Sequence, residues 1–165
     1  MPGQAGARGL GLTPSHVYAL WVNINDSLLV IARVVSDDVS WRDTLSSMSP
    51  MKYEGKRPSD VLDRVGRLHV MIERLGPSAQ LAGHPLEVEL HDVENDLATP
   101  GDVFVSSGHI LDRLVSWLIR NTGPEQRVSG SYTRRTFRGK TPSDIFGLVG
   151  LADRRLEMIL SKLGT

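Results

Sequence analysis

Thr13-Pro14-Ser15-His16, Arg57-Pro58-Ser59-Asp60, Thr99-Pro100-Gly101-Asp102 and Thr141-Pro142-Ser143-Asp144 are four versions of one phrase, spaced 44, 42 and 42 residues apart. Each carries the chemistry of a helix start. Thr stands as N-cap, Pro takes the first helical position, where a missing N–H costs nothing, and a carboxylate three residues after the cap completes a capping box. Such a cap is worth about 1 kcal/mol. The second phrase has Arg57 in the cap slot, which leaves the capping to Asp60 or Ser59, and the first has His16 where the others have Asp.

Behind the phrases the apolar residues fall into register. Counted from the cap, position four is Val17, Val61, Val103 and Ile145, and position five is Tyr18, Leu62, Phe104 and Phe146. Position eleven is Ile24, Leu68, Ile110 and Ala152, position fifteen Leu28, Ile72, Leu114 and Leu156, and position eighteen Ile31, Leu75, Trp117 and Ile159. Steps of three and four keep these on one helix face. Gly76-Pro77, Gly123-Pro124 and Gly164 supply the stops. The expectation is an all-α fold with four amphipathic helices of about 18 to 24 residues.

Units two and four share an aromatic-x-Gly-Lys-x-Pro-Ser-Asp lead-in, Tyr53 to Asp60 and Phe137 to Asp144, which units one and three lack. The chain therefore reads as a duplicated helical pair, four pseudo-repeats of 42–44 residues, with halves at about 13–76 and 99–164. Neither hairpin buries its apolar face alone, so the two are expected to pack into one four-helix bundle spanning 13–165. The connections are longer than those of simple bundles. A link of about 20 residues reaches roughly 60 Å and a 22-residue helix is about 33 Å long, so parallel and antiparallel orders are both open; up-and-down order is the default expectation. Asp37 to Met48 reads as a loop with one helical turn, and Pro85 to Ala98 has helical spacing. A short α-solenoid is the alternative fold. Residues 1–12, with four glycines, are expected to be a flexible tail.

The chain has 165 residues, 40% of them apolar and 23% charged, and no cysteine, which excludes disulfide and zinc–thiolate scaffolds. At this length a core forms without such staples. No signal peptide is apparent, and no transmembrane segment is expected. The compartment stays open between a cytoplasmic protein and an exported mature domain.

The balance of 19 basic and 19 acidic residues hides a reversal along the chain. Between Arg74 and Arg113 stand seven carboxylates and no Lys or Arg; from Arg113 to Lys140 stand seven cations and one Glu. Tyr132 and Phe137 set among Arg134, Arg135, Arg138 and Lys140 have the ingredients of a contact with phosphates and bases, or with anionic lipid. Gly139-Lys140-Thr141 is not a phosphate-binding loop, because Arg134 stands where that loop needs its first glycine. Trp41, in a polar connection with Met48 and Met51, reads either as a partner-docking residue or as part of a lid across the bundle.

Catalytic sets are missing. No nucleophile elbow, dinucleotide fingerprint or Glu-x-x-His pair occurs. Ser106, Ser107, His109 and Asp112 hold triad residue types, yet neighbours on one helix diverge outward instead of converging. Asn25, His69, Asp112 and Asp153 are the polar residues on helix faces that a pocket would use, and His84 and His91 among carboxylates are the only metal candidates; neither a metal nor another cofactor is expected. The function expected is a non-enzymatic helical scaffold or adaptor that binds another protein or self-associates. The alternative is an anion-binding module, for nucleic acid or an anionic membrane, using residues 127–140.

Overall fold

The computed structural model describes residues 11–76, 98–122 and 133–165. They form five helices: α1 Pro14–Val35, α2 Val39–Ser47, α3 Pro58–Ile72, α4 Pro100–Thr122 and α5 Pro142–Leu163. A single 3-10 turn, Glu73–Leu75, extends α3. Four of them, α1, α3, α4 and α5, pack as a bundle in which α1 and α3 each touch both α4 and α5. The order around the ring is α1, α5, α3, α4. The arrangement is a closed bundle and not a solenoid.

Every helix start is built as its phrase predicts. The Asp60, Asp102 and Asp144 carboxylates accept the backbone N–H of their cap residues at 2.8, 2.8 and 2.9 Å. Asp60 also lies 3.9 Å from the Arg57 guanidinium, which explains how arginine is tolerated in the cap slot. In α1 the acceptor is His16 Nδ1, 3.0 Å from the Thr13 N–H. An imidazole does here what a carboxylate does elsewhere, because an unprotonated ring nitrogen is also an acceptor.

The helices run parallel, contrary to the up-and-down expectation. Pro14, Pro58, Pro100 and Pro142 line one apolar pit at a single end of the bundle. At the other end the Arg74 guanidinium donates to the Thr165 carbonyl at 2.7 Å. Helices adjacent in sequence, α1 with α3 and α4 with α5, sit across the diagonal, so neither half is a hairpin. Gathering four positive dipole ends together is unfavourable, and the capping carboxylates offset it.

Parallel order brings equal positions together in layers. Position fifteen, Leu28, Ile72, Leu114 and Leu156, is at most 2% exposed throughout, each side chain contributing about 1.5–3 kcal/mol. Position eight forms a further layer of Trp21, Val65, Ser107 and Val149, all buried. There the Trp21 indole N–H donates to Ser107 Oγ at 2.9 Å. One large and several small side chains fill the layer, as Ala152 does opposite Ile24, Leu68 and Ile110. At position eighteen Leu75 and Trp117 are only half-buried, because α3 has already ended.

Asp37 to Met48 contains more than one helical turn. Asp38 caps α2 by accepting the Trp41 N–H at 3.1 Å, and Leu45 enters the core. Alone among the described helices, α1 is long and apolar enough to cross a membrane by length and composition, which the sequence reading did not anticipate. It is also a core helix of the bundle, burying Trp21, Ile24, Leu28 and Ile31. The expected helix over 85–98 and the tail over 1–12 lie outside the described residues, save Ala98, Gly11 and Leu12.

Candidate functional site

Two stretches of irregular chain lie across the bundle in the same way. Tyr53 meets Phe146 of α5 edge to face at 4.7 Å between centroids, and the Lys56 ammonium sits 4.5 Å from the Phe146 ring. The Lys56 N–H donates to Ser143 Oγ at 2.9 Å. On α1, Phe137 meets Tyr18 at 4.9 Å, Lys140 sits 4.4 Å from the Tyr18 ring, and its N–H donates to Ser15 Oγ at 3.2 Å. Between ring and lysine the chain turns at Gly55 and Gly139, with φ of 69° and 68°, where a side chain would be strained. Each edge-to-face pair contributes about 0.5–1.5 kcal/mol and each exposed cation–π contact about 0.5–1 kcal/mol. The aromatic-x-Gly-Lys lead-ins are thus clasps that fasten a connection over a neighbouring helix.

The α5 seat is the tighter one. A Cβ on Gly147 would lie 2.6 Å from the Met51 carbonyl oxygen, and one on Gly150 would lie 2.7 Å from the Arg64 guanidinium. The Arg64 guanidinium also lies 4.5 Å from the Phe146 ring. The α1 seat is completed by polar contacts. Asp26 pairs with Arg135 at 2.6 Å, and Asn23 Nδ2 donates to the Thr133 carbonyl at 2.9 Å. Asn23 Oδ1 is buried with no partner.

Three cations of α5 hold the connection from α1 to α3. Arg155, 5% exposed, donates to the Leu45 carbonyl at 3.1 Å, to Asn25 Oδ1 at 3.3 Å and to the Met48 carbonyl at 3.4 Å. Burial lowers its pKa from the ordinary arginine value. Arg154 donates to the Ser49 carbonyl at 2.7 Å. Lys162 pairs with Asp38 at 3.4 Å, and the Asp38 pKa is lowered first by the Trp41 N–H and further by Lys162.

The residues singled out in sequence do not form one site. Trp41 is half-buried against the core with Lys162 5.4 Å from its ring, at the end of the bundle opposite the α1 seat. Arg135, Phe137 and Lys140 face α1, Arg134 and Arg138 are exposed, and Tyr132 lies outside the described residues. Asn25 is buried, donating to the Trp21 and Leu148 carbonyls. His69 Nε2 lies 3.0 Å from the Ser106 carbonyl oxygen and so carries the ring proton, since a carbonyl only accepts. Burial lowers the His69 pKa, with the Ser106 carbonyl working against it. Ser107 donates to the Val103 carbonyl while it accepts from Trp21, and Asp112 is exposed. The triad residue types therefore face different ways. No group of three metal-ligating side chains occurs among the described residues, and His84 and His91 lie outside them.

Sequence reasoning missed the outward register. Positions six, thirteen and twenty point away from the core stripe. On α5 they include Gly147 and Arg154, and on α1 Asp26, all engaged by the chain's own connections. On α3 and α4 they include Val70, Val105 and Ile119, which are 70%, 56% and 44% exposed. Apolar residues opposite the apolar stripe were the available signal. Compared with protein-family models, with curated proteins and with solved structures, the chain has no match.

Proposed function

We propose that this protein is a non-enzymatic helical scaffold that docks another protein chain through the outer faces of α3 and α4. The observation that carries the reading is the asymmetry of the outward register. Asp26 on α1 and Gly147 and Arg154 on α5 engage the connections, while Val70, Val105 and Ile119 stand open on α3 and α4. Exposed large apolar residues gathered on one side of a domain mark interaction surfaces. The matching clasps on α1 and α5 support, in the same reading, a scaffold built by duplication of a helical pair. Tethering of Arg135, Phe137 and Lys140 to α1 leaves the basic connection fewer cations for an anionic ligand, and affinity for phosphates grows with the number neutralised.

The test is partner capture from native lysate with chemical cross-linking. Wild type is compared with the triple variant Val70→Glu, Val105→Glu, Ile119→Glu and with Arg134→Ala, Arg138→Ala. The scaffold reading expects a protein partner lost only in the glutamate variant. Capture of nucleic acid or lipid lost only in the arginine variant would replace it, and sedimentation at low and high salt identifies the case in which the partner is a second copy.

A further inference from the structure

Each clasp falls on the next helix in one sense around the ring. The lead-in of α3 lies on α5, where the Lys56 N–H reaches Ser143 Oγ, and the lead-in of α5 lies on α1, where the Lys140 N–H reaches Ser15 Oγ. Because α1 packs against α4 as well as α5, the same step carries the lead-in of α1 onto α4. That lead-in has the backbone of a clasp. Gly11 stands two residues before the Thr13 cap, as Gly55 and Gly139 stand before Arg57 and Thr141, and its φ of 54° matches their 69° and 68°. Leu12 holds the place of the lysine and is half-buried, outside the core cluster. On α4, Phe104 holds position five, the place of Phe146 on α5 and Tyr18 on α1. It is half-buried, and no ring or cation from the described residues stacks on it.

We propose that the lead-in of α1 is a third clasp, in which Leu12 seats on the Phe104 ring, and that a partner docking on the outer face of α4 displaces it. The displacement rests on the scaffold reading. Burial of apolar surface alone holds this clasp. Gly9 stands where Tyr53 and Phe137 supply a ring, Leu12 replaces the cation, and Gly101 stands where Ser143 and Ser15 accept an N–H. The third clasp is therefore weaker than the other two, and it is the one that opens. Val105, next to Phe104, is 56% exposed. Opening the clasp extends the docking face from Val105 to the Phe104 ring.

The test is nuclear magnetic resonance on the isotope-labelled full chain. Through-space proton contacts between the Leu12 methyls and the Phe104 ring are expected. Leu12→Ser should shift the amides of 101–108, and Phe104→Leu those of 11–14. Half of a leucine's burial corresponds to about fivefold in the balance between closed and open clasp. Leu12→Ser should therefore raise the open fraction by that factor, read as stronger broadening of the Phe104 ring by a soluble paramagnetic probe. Gly11→Val, strained at positive φ, should do the same with Leu12 in place. Both substitutions precede the first helix, so the bundle keeps its fold and the test holds even where Phe104→Leu does not fold. Absence of the Leu12–Phe104 contacts, or equal broadening in wild type and both variants, would overturn the proposal. Gly11→Val should also capture more of the partner that the Val70, Val105, Ile119 variant loses. Equal capture by wild type and Gly11→Val would overturn the displacement while leaving the scaffold reading in place, whereas a closed clasp with no partner captured by any version would overturn the scaffold reading instead.

Discussion

Replacing Arg155 by Met tests how the connection from α1 to α3 is held. The change keeps the apolar stem and removes the guanidinium, whose partners are neutral acceptors: the Leu45 and Met48 carbonyls and Asn25 Oδ1. Leu45 and Asn25 are 1% and 4% exposed. Asn25 Oδ1 is left buried and unmet, at a cost of about 1–3 kcal/mol, while the Leu45 carbonyl keeps the Met48 N–H. Relief from burying a cation works in the opposite direction, and release of α2 into water caps the loss at about the burial of Leu45, some 1.5–3 kcal/mol, plus the remaining contacts. A net loss of about 1–3 kcal/mol follows, which for a chain of this size lowers Tm by about 2–10 °C. Urea and thermal unfolding supply the stability, and hydrogen exchange of the α2 amides supplies the location. Arg154→Met, which removes a contact to one exposed carbonyl, serves as the comparison and should lose less than about 1 kcal/mol. An Arg155→Met protein within about 0.5 kcal/mol of wild type, with α2 exchange unchanged, would refute the reasoning.

Glycines in the helices should respond with opposite signs. Gly66→Ala and Gly108→Ala meet nothing within 4 Å and should stabilise by about 0.5–1 kcal/mol, whereas Gly147→Ala meets the Met51 carbonyl oxygen at 2.6 Å and should destabilise by about 1–3 kcal/mol; chemical denaturation reads all three. His69 gives a pH dependence. Its pKa is lowered in the folded state by burial, so the unfolded chain binds the proton more readily, and stability should fall as pH drops below about 6.5, the ordinary histidine value. His69→Gln should flatten that slope, and an unchanged stability–pH curve would contradict the assignment. His16→Ala should fray the first turn of α1, because it removes the acceptor of the Thr13 N–H; amide exchange of residues 14–17 is the measurement.

Local chemistry was the legible part of this chain. Cap, proline and carboxylate lie within four residues of one another, and the helix starts they predict are built as written. The layers at positions four, eleven and fifteen also follow from spacing alone. Position eight escaped because Ser107 interrupts its apolar character, and only the Trp21 indole facing it from a parallel helix explains a buried serine there. Direction was not legible, since connections of about 20 residues permit either order. The lead-ins stood out as a motif, yet their role depends on Tyr18 and Phe146, which lie on helices distant in sequence. Trp41 and the basic connection drew attention through composition, which does not reveal that Lys162, Tyr18 and Asp26 are waiting for them.

The docking proposal depends on a parallel bundle whose connections wrap α1 and α5. The chain has no cysteine, so spin labels enter cleanly at Arg33 with Glu73, and at Arg33 with Arg57, for distance measurement by pulsed electron spin resonance. All three positions are exposed. Parallel helices place the ends of α1 and α3 together, giving roughly 15–25 Å for Arg33 with Glu73 and roughly 35–45 Å for Arg33 with Arg57. The reverse pattern, long for the first pair and short for the second, would establish an up-and-down bundle and contradict the account.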